Sequence, residues 1–386
     1  MSTFRRPAMP TPYPPILRLL HLLSIVIGIG LLTPSTAATK QATDKPGSQL
    51  YAGWTELMYA AWHGQSDTVD RLLTKPHHIN ATDEDGRTAL IYAAWNGDRE
   101  IVHTLINTQA AINHKDNKGL SAMAWAARRG QLEAIQELHS QGAQVDSQDN
   151  AGNTPLVWAV LMQHRQEARF LLENQANPNV KTRLGTTALS IAASLGYQRI
   201  AQLLLKYGAA INSSDQHGHS VLWFAADGGQ FVLCKMLVKN GADIDASDNN
   251  GQTALMRAIK NDHQEIALWL INHAADTKLK SRKGNTAVHF AAMRGNYTIL
   301  QALLDAGTPA DEANATGNTP LQLAVRAGYQ KTSDLLLRNN ADINHANLLG
   351  DTATDIAANE GHKKISALLK TYAESDTGLL NRLLSD

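Results

Sequence analysis

The strongest constraint on the fold of this chain is a glycine that recurs every 33 residues. A threonine or serine stands two residues after each glycine, an alanine seven after and a leucine nineteen after, in all ten copies. A period this regular predicts a solenoid, in which each unit is too small to bury its own core and is stabilised by its neighbours. The glycines are Gly53, Gly86, Gly119, Gly152, Gly185, Gly218, Gly251, Gly284, Gly317 and Gly350.

One copy, residues 185–212, shows the local structure that each repeat predicts. Thr187 precedes an apolar helix over Leu189–Ala193 and is placed to cap it, because its hydroxyl can accept a free backbone N–H of the first turn. Gly196 permits a tight turn. A second helix with an apolar stripe is expected over Ile200–Tyr207. Both helices are too short to be stable alone in water, so the unit depends on its neighbours.

This repeat resembles the ankyrin-repeat family, whose unit reads roughly D-x-x-G-x-T-P-L-H-x-A-A-x-x-G and ends in L-L-x-x-G-A-x-x-N. The family's proline is kept at Pro155 and Pro320, and its histidine only at His289. Gln163 and Asp262 replace the glycine between the two helices in repeats four and seven. The resemblance covers residues 50 to about 374 and implies an all-α-rich solenoid of ten helix–turn–helix repeats, joined by β-hairpins or loops.

The N-terminal segment has the composition of a secretory signal peptide. Arginines precede an apolar run from Leu19 to Leu32, and small residues follow at 35–38. The run would span about 21 Å as a helix, short of a hydrocarbon core of about 30 Å, which disfavours a retained anchor. No cysteine stands directly after the run to carry a lipid. We therefore predict a cleaved signal peptide over 1–38 and a periplasmic or secreted protein without a membrane span after cleavage.

The segments that flank the repeats have simpler compositions. Residues 39–49 are polar, contain Pro46 and Gly47, and are expected to form a flexible linker before the array over 50–374. Residues 375–386 are expected to form a short C-terminal helix with four leucines on one face. That helix either covers the last repeat or binds a partner.

The charge balance of the chain gives no indication of nucleic-acid binding. It has 35 basic and 35 acidic residues, and removing 1–38 would leave a small negative charge. The single cysteine, Cys234, cannot form an internal disulfide. A monomer is expected.

No catalytic or metal-binding constellation is predicted. Asp215, His217 and His219 lie on one loop and His77 and His78 on another, whereas a metal site requires three or four convergent ligands. We therefore expect no enzyme activity and no cofactor.

The family resemblance implies that a concave groove binds partners and that the residues nine and ten after each glycine face it. Trp and Arg dominate interface hot spots, which favours a protein-binding surface in the N-terminal half for a partner with an acidic surface. The alternative is that the aromatic residues only cover short alanine-rich helices. The predicted site residues are Trp62 and His63, Trp95 and Asn96, Arg128 and Arg129, Leu161 and Met162, and Leu195, with Trp54 from the first loop.

Repeat seven departs most from the pattern. Arg257 stands where the other repeats have an apolar or aromatic residue. It is expected either to lie between Phe224 and Phe290, with cation–π contacts, or to extend to solvent at the rim of the groove. This repeat is predicted to be the weakest of the array.

These features together predict a non-catalytic protein-interaction scaffold in the cell envelope. The alternative is an accessory factor that supports or protects an envelope enzyme, including by cofactor delivery.

Overall fold

The protein is described by a computed structural model over residues 53–74 and 78–383. Within these residues it contains twenty helices and no strand. The connections between repeats, expected to be β-hairpins or loops, are tight loops, three of which form one isolated antiparallel bridge each. The predicted signal peptide over 1–38 and the linker over 39–49 lie outside the described residues. The chain divides into two compact units, one ending at Thr186 and the other beginning at Thr187.

The first unit contains four helix pairs, each with a short first helix and a slightly longer second helix. Neighbouring first helices pack on one another, as do neighbouring second helices. This unit is therefore an all-helical repeat solenoid. Its helices are α1 Glu56–Trp62, α2 Ser66–Leu73, α3 Ala89–Asn96, α4 Arg99–Asn107, α5 Ala122–Arg129, α6 Leu132–Ser140, α7 Pro155–Leu161 and α8 Arg165–Glu173.

The second unit contains six helix pairs of the same kind. The expected separate helix after residue 375 is continuous with the last helix, which extends to Leu383. The helices are α9 Ala188–Leu195, α10 Gln198–Lys206, α11 Val221–Asp227, α12 Phe231–Lys239, α13 Ala254–Lys260, α14 Gln264–Asn272, α15 Ala287–Arg294, α16 Tyr297–Asp305, α17 Pro320–Arg326, α18 Gln330–Arg338, α19 Ala353–Asn359 and α20 Lys363–Leu383.

The threonines and serines two residues after each glycine start the first helices, as the sequence predicts. In nine of the ten repeats the hydroxyl accepts the backbone N–H three residues later. The exception is Thr286, whose hydroxyl lies 2.9 Å from Nδ1 of His289. Where the family's histidine is present, its ring therefore replaces the backbone N–H as the partner of the threonine hydroxyl.

The same two positions lie in the core of every repeat. The leucine nineteen residues after each glycine is buried from Leu72 to Leu369, and the alanine seven residues after is fully buried from Ala60 to Ala357. α10 begins at Gln198, two residues earlier than expected, because its first turn is polar and exposed while its apolar stripe starts at Ile200.

Neighbouring loops are joined by hydrogen bonds that repeat along each unit. In the first unit the N–H of Asn117 donates to the carbonyl of Asp85, and that of Asn150 donates to the carbonyl of Lys118, both at 2.9 Å. The side chain of Asn80 accepts the N–H of Ala111 at 2.7 Å and so joins two adjacent loops. These bonds align successive loops.

Six described residues other than glycine have a left-handed backbone, in repeats two, four, seven and nine: Gln109, Gln163, Gln175, Asp262, Ala274 and Asn340. Gln163 and Asp262 have φ of +61° and +63°, and Ala274 in repeat seven has φ of +64°. An L-residue in this region costs about 1–2 kcal/mol relative to the right-handed form. Repeats four and seven each contain two such positions, so this cost does not distinguish repeat seven, and its local weakness stays a prediction.

Candidate functional site

Three aromatic rings in the first unit are held by an aspartate of their own repeat. Each ring stands six residues after the turn glycine of its repeat, and the aspartate stands three residues before that glycine. The indole N–H donates to the carboxylate at 2.9 Å in both tryptophan pairs, and burial raises the pKa of the tyrosine hydroxyl. The pairs are Tyr92 with Asp83, Trp125 with Asp116, and Trp158 with Asp149.

A second set of tryptophans lies against these rings and is partly exposed. Trp95 stacks on Trp125 with ring centroids 4.0 Å apart and an angle of 15° between the planes. Trp62 meets Trp95 edge-on at 5.4 Å, and Trp54 meets Trp62 at 6.1 Å. The aromatic groups of successive repeats therefore form one continuous row.

Three arginines complete this row. The guanidinium of Arg128 lies 5.0 Å from the ring centroid of Trp125 and 4.7 Å from that of Trp158. Arg87 lies within 5.4 Å of two tryptophan rings, and Arg129 lies 5.5 Å from that of Trp95. Burial lowers the pKa of Arg128, and the charges of Arg129 and Arg87 lower it further. The rings of Trp125 and Trp158 are buried beneath this row. We call Trp54, Trp62, Arg87, Trp95, Arg128 and Arg129 the aromatic–arginine surface.

The end of α3 is fixed by the next repeat. Gln131 donates its side-chain N–H to the carbonyl of Trp95 at 3.3 Å. Gly97, with φ of +88°, ends the helix directly beneath it, and a Cβ there would lie 2.2 Å from the Gln131 oxygen. The absence of a side chain at Gly97 thus allows the close contact that positions Trp95.

The predicted site residues differ in how much of each is open to solvent. Trp54, Trp62, Trp95, Arg128 and Met162 are half-buried, while His63, Asn96 and Arg129 are exposed. Leu195 is half-buried and belongs to the second unit.

The prediction for one site residue, Leu161, is wrong. Leu161 was expected to face the groove, but it is only 7% exposed. An apolar side chain at the end of an apolar helix is driven out of water, so it contributes to packing. Conversely, sequence reasoning missed Arg87, whose only signal is a basic residue next to a turn glycine.

The environment of Arg257 in the second unit also differs from the expectation. Its guanidinium lies 4.6 Å from the ring centroid of Trp223 and pairs with Asp227, not with Phe224 or Phe290. Asn261 donates to the same carboxylate at 2.7 Å. Arg257 therefore bridges repeats six and seven.

The histidine-containing loop of repeat six forms a hydrogen-bonded structure rather than a cluster of metal ligands. Nδ1 of His219 lies 2.9 Å from the carboxylate of Asp215, and its ring stacks on Trp223 at 3.9 Å. Over the described residues no group of three or more His, Cys, Asp or Glu side chains is placed to hold a metal ion. His77 lies outside the described residues.

Two further features bear on the chemistry of the chain. The thiol of Cys234 is buried, and burial raises its pKa to about 12, so it is held as an unreactive thiol. Among the described helices, none combines the length and apolar character needed to cross a membrane.

These observations define a class of protein: a helical protein of 33-residue repeats, whose first compact unit carries a partly exposed aromatic–arginine surface on its first helices and the turns before them. A family model described as ankyrin repeats, three copies, matches residues 32–116, 57–149, 96–182, 123–215, 189–281 and 275–347. The chain belongs to the ankyrin-repeat family, and it is a scaffold of the kind that mediates protein–protein interactions. No curated protein matches the chain.

Proposed function

We propose that this protein acts in the cell envelope as a non-catalytic scaffold that binds a protein partner through its aromatic–arginine surface. The observation that carries the proposal is the partial exposure of Trp62 and Trp95 beside the exposed Arg129. The neighbouring rings of Trp125 and Trp158 are buried, and their indole N–H groups bond to aspartates. These rings already supply the aromatic packing of the core, so the partly exposed tryptophans are available for another role.

The chemistry of the surface indicates the kind of partner. Tryptophan offers a large contact area at little cost in rotamer entropy, and arginine can bind a carboxylate through two parallel hydrogen bonds. Three guanidiniums lie among the rings. Burial lowers the pKa of Arg128, and the charges of Arg129 and Arg87 lower it further. A partner that presents carboxylates flanked by apolar side chains would relieve this repulsion. We therefore propose an acidic ridge on the partner.

The envelope location rests on the composition of residues 1–38. Export and cleavage should give a mature chain that begins within a few residues of Thr39. N-terminal sequencing of the protein after cell fractionation tests this directly, and an intact Met1 on protein from an envelope-free fraction would contradict it.

The binding surface can be tested by capture from an envelope extract with the purified protein and its variants. Trp62→Ala and Arg129→Glu should each abolish or strongly reduce capture of the partner. Trp62→Ala should weaken the affinity between the protein and the partner about 30-fold or more, as expected for a hot spot. Arg129→Glu should slow association most at low salt.

The matched control is Lys260→Ala, because Lys260 occupies in repeat seven the position that Trp62 occupies in repeat one. It should leave capture unchanged. If Trp62→Ala lowers the stability of the fold but leaves binding intact, the tryptophans are packing residues and the proposed surface is wrong.

A further inference from the structure

Three neighbouring loop tips in the second unit form one connected line. The N–H of Ala315 donates to the carbonyl of Lys283 at 3.0 Å, and the N–H of Leu348 donates to the carbonyl of Thr316 at 3.3 Å. The tip residues are exposed in all three loops. Along the line the exposed residues change from basic to small or polar to apolar: Arg282 and Lys283, then Ala315 and Thr316, then Leu348 and Leu349.

The apolar end of this line is unusually open to solvent. Leu348 and Leu349 are 77% and 82% exposed, more than the other exposed large hydrophobic residues of the described chain. A single exposed apolar side chain is ordinary, but two adjacent ones at a protruding tip form a small apolar patch.

The tip is held in place by a buried asparagine. Oδ1 of Asn347 accepts the N–H of Leu349 at 2.9 Å and that of Asp351 at 3.0 Å. Its Nδ2 donates to the side chain of Asn318 at 3.0 Å. Because the backbone is fixed by these bonds, the leucines are presented outward without a large loss of backbone entropy on binding.

We propose that this line of tips docks on an anionic lipid surface. The side chains of Leu348 and Leu349 would enter the boundary between headgroups and acyl chains, while Arg282 and Lys283 would face anionic headgroups. Inserted apolar side chains combined with nearby basic residues are the two terms that hold a protein at a membrane surface.

A protein partner fits this line less well. A stable protein interface buries about 800 Å² on each side around an apolar core. Here the two leucines stand at one end, and the adjacent tip residue Thr316 is polar. A fluid lipid surface needs no complementary pocket for a protruding tip, which favours lipid over protein. The proposal is independent of the partner-binding surface in the first unit.

The test is sedimentation of the full chain with vesicles of phosphatidylcholine alone or with one third phosphatidylglycerol. Leu348→Ser/Leu349→Ser should lower binding to the anionic vesicles about tenfold or more. Arg282→Gln/Lys283→Gln should lower it about fivefold per charge at low salt, with little effect in high salt. Leu184→Ser is the matched control at another loop tip, where the leucine is 37% exposed, and it should leave binding unchanged.

A local measurement separates the tip from any contribution of the apolar run in residues 19–32. A polarity-sensitive dye on Leu349→Cys should shift its emission on anionic vesicles, while the same dye on Leu184→Cys should not. Cys234 is buried and does not compete for the dye.

The proposal is overturned if the dye at position 349 reports no change, or if the leucine variant binds anionic vesicles as well as the parent chain does. It is also overturned if binding is equal on uncharged vesicles. If Leu348→Ser/Leu349→Ser instead abolishes self-association in analytical ultracentrifugation and leaves vesicle binding intact, the tip is an interface between copies of the chain.

Discussion

Acidification should weaken the second unit through one buried histidine, His289 in α15. The side chain is 0% exposed, and its Nδ1 accepts the N–H of Thr286 at 3.1 Å. A proton on Nδ1 would break that bond, and burial disfavours the charged ring. Burial therefore lowers the pKa of His289 from 6.5 to about 4.

The sign and size of the effect follow from linkage. Between pH 6.5 and about 4 the unfolded chain binds a proton at His289 that the folded protein does not. The contribution to stability is therefore complete above pH 6.5 and is lost progressively as the pH falls toward 4. Each unit of pH in this window costs about 1.4 kcal/mol, so the loss at pH 5 is about 2 kcal/mol.

The matched variant is His289→Gln, which copies the neighbouring repeat. Gln322 occupies the equivalent position, and its side-chain oxygen accepts the N–H of Thr319 at 3.0 Å. Glutamine does not titrate. Urea unfolding of both proteins at pH 7.5 and pH 5, followed by circular dichroism, should show a loss on acidification that is about 2 kcal/mol larger for the parent chain.

Other titrating groups are common to both proteins and cancel in this comparison. Burial raises the pKa of Asp245 and of Asp311, which acts in the opposite direction. If the two proteins lose stability in parallel between pH 7.5 and pH 5, His289 is not held neutral by the fold. A pKa of His289 near 6.5 by NMR titration would refute the reasoning directly.

Two further substitutions test the packing of the second unit. Leu204→Ala should lower the free energy of unfolding by about 2–5 kcal/mol, because Leu204 is 0% exposed and a cavity would remain. The exposed Val232→Ala is its control, at about 0.5 kcal/mol or less, and a cost below about 1 kcal/mol for Leu204→Ala would mean that the repeat register is wrong. Arg257→Leu should lower stability by about 1–3 kcal/mol because it leaves the carboxylate of Asp227 without its cation. A gain in denaturation midpoint would show instead that the arginine is only tolerated there.

The outcome at Arg257 shows where sequence reasoning stops. The pattern identifies the residue as an exception, but its partner, Asp227, stands 30 residues earlier on a neighbouring first helix. Asp227 is one of the variable positions on which the repeat places no constraint. The expected partners Phe224 and Phe290 occupy the same repeat position as Arg257, yet the arginine pairs with residues at other positions.

The candidate site divides in a similar way. The sequence places Trp62, Trp95 and Arg129 at equivalent or adjacent positions of successive repeats, and the structure brings them together. The sequence could not separate Leu161, which is buried, from Met162, which is half-buried. Burial at the end of a short helix depends on how neighbouring elements cover it, and that information is absent from the pattern of one repeat.

The sequence by itself determined the repeat unit of this protein. A 33-residue period, a capping hydroxyl at the start of each first helix and a leucine on each second helix suffice, because caps, turns and one-sided apolar stripes depend on residues close together in the chain. The tertiary structure was needed to show which aromatic rings bond to aspartates, which rings remain open beside the arginines, and which charge pairs with Arg257. The aspartate–ring pairs join residues nine apart in one repeat. The other two choices depend on the offset between stacked repeats, which sets the distances between side chains about 30 residues apart.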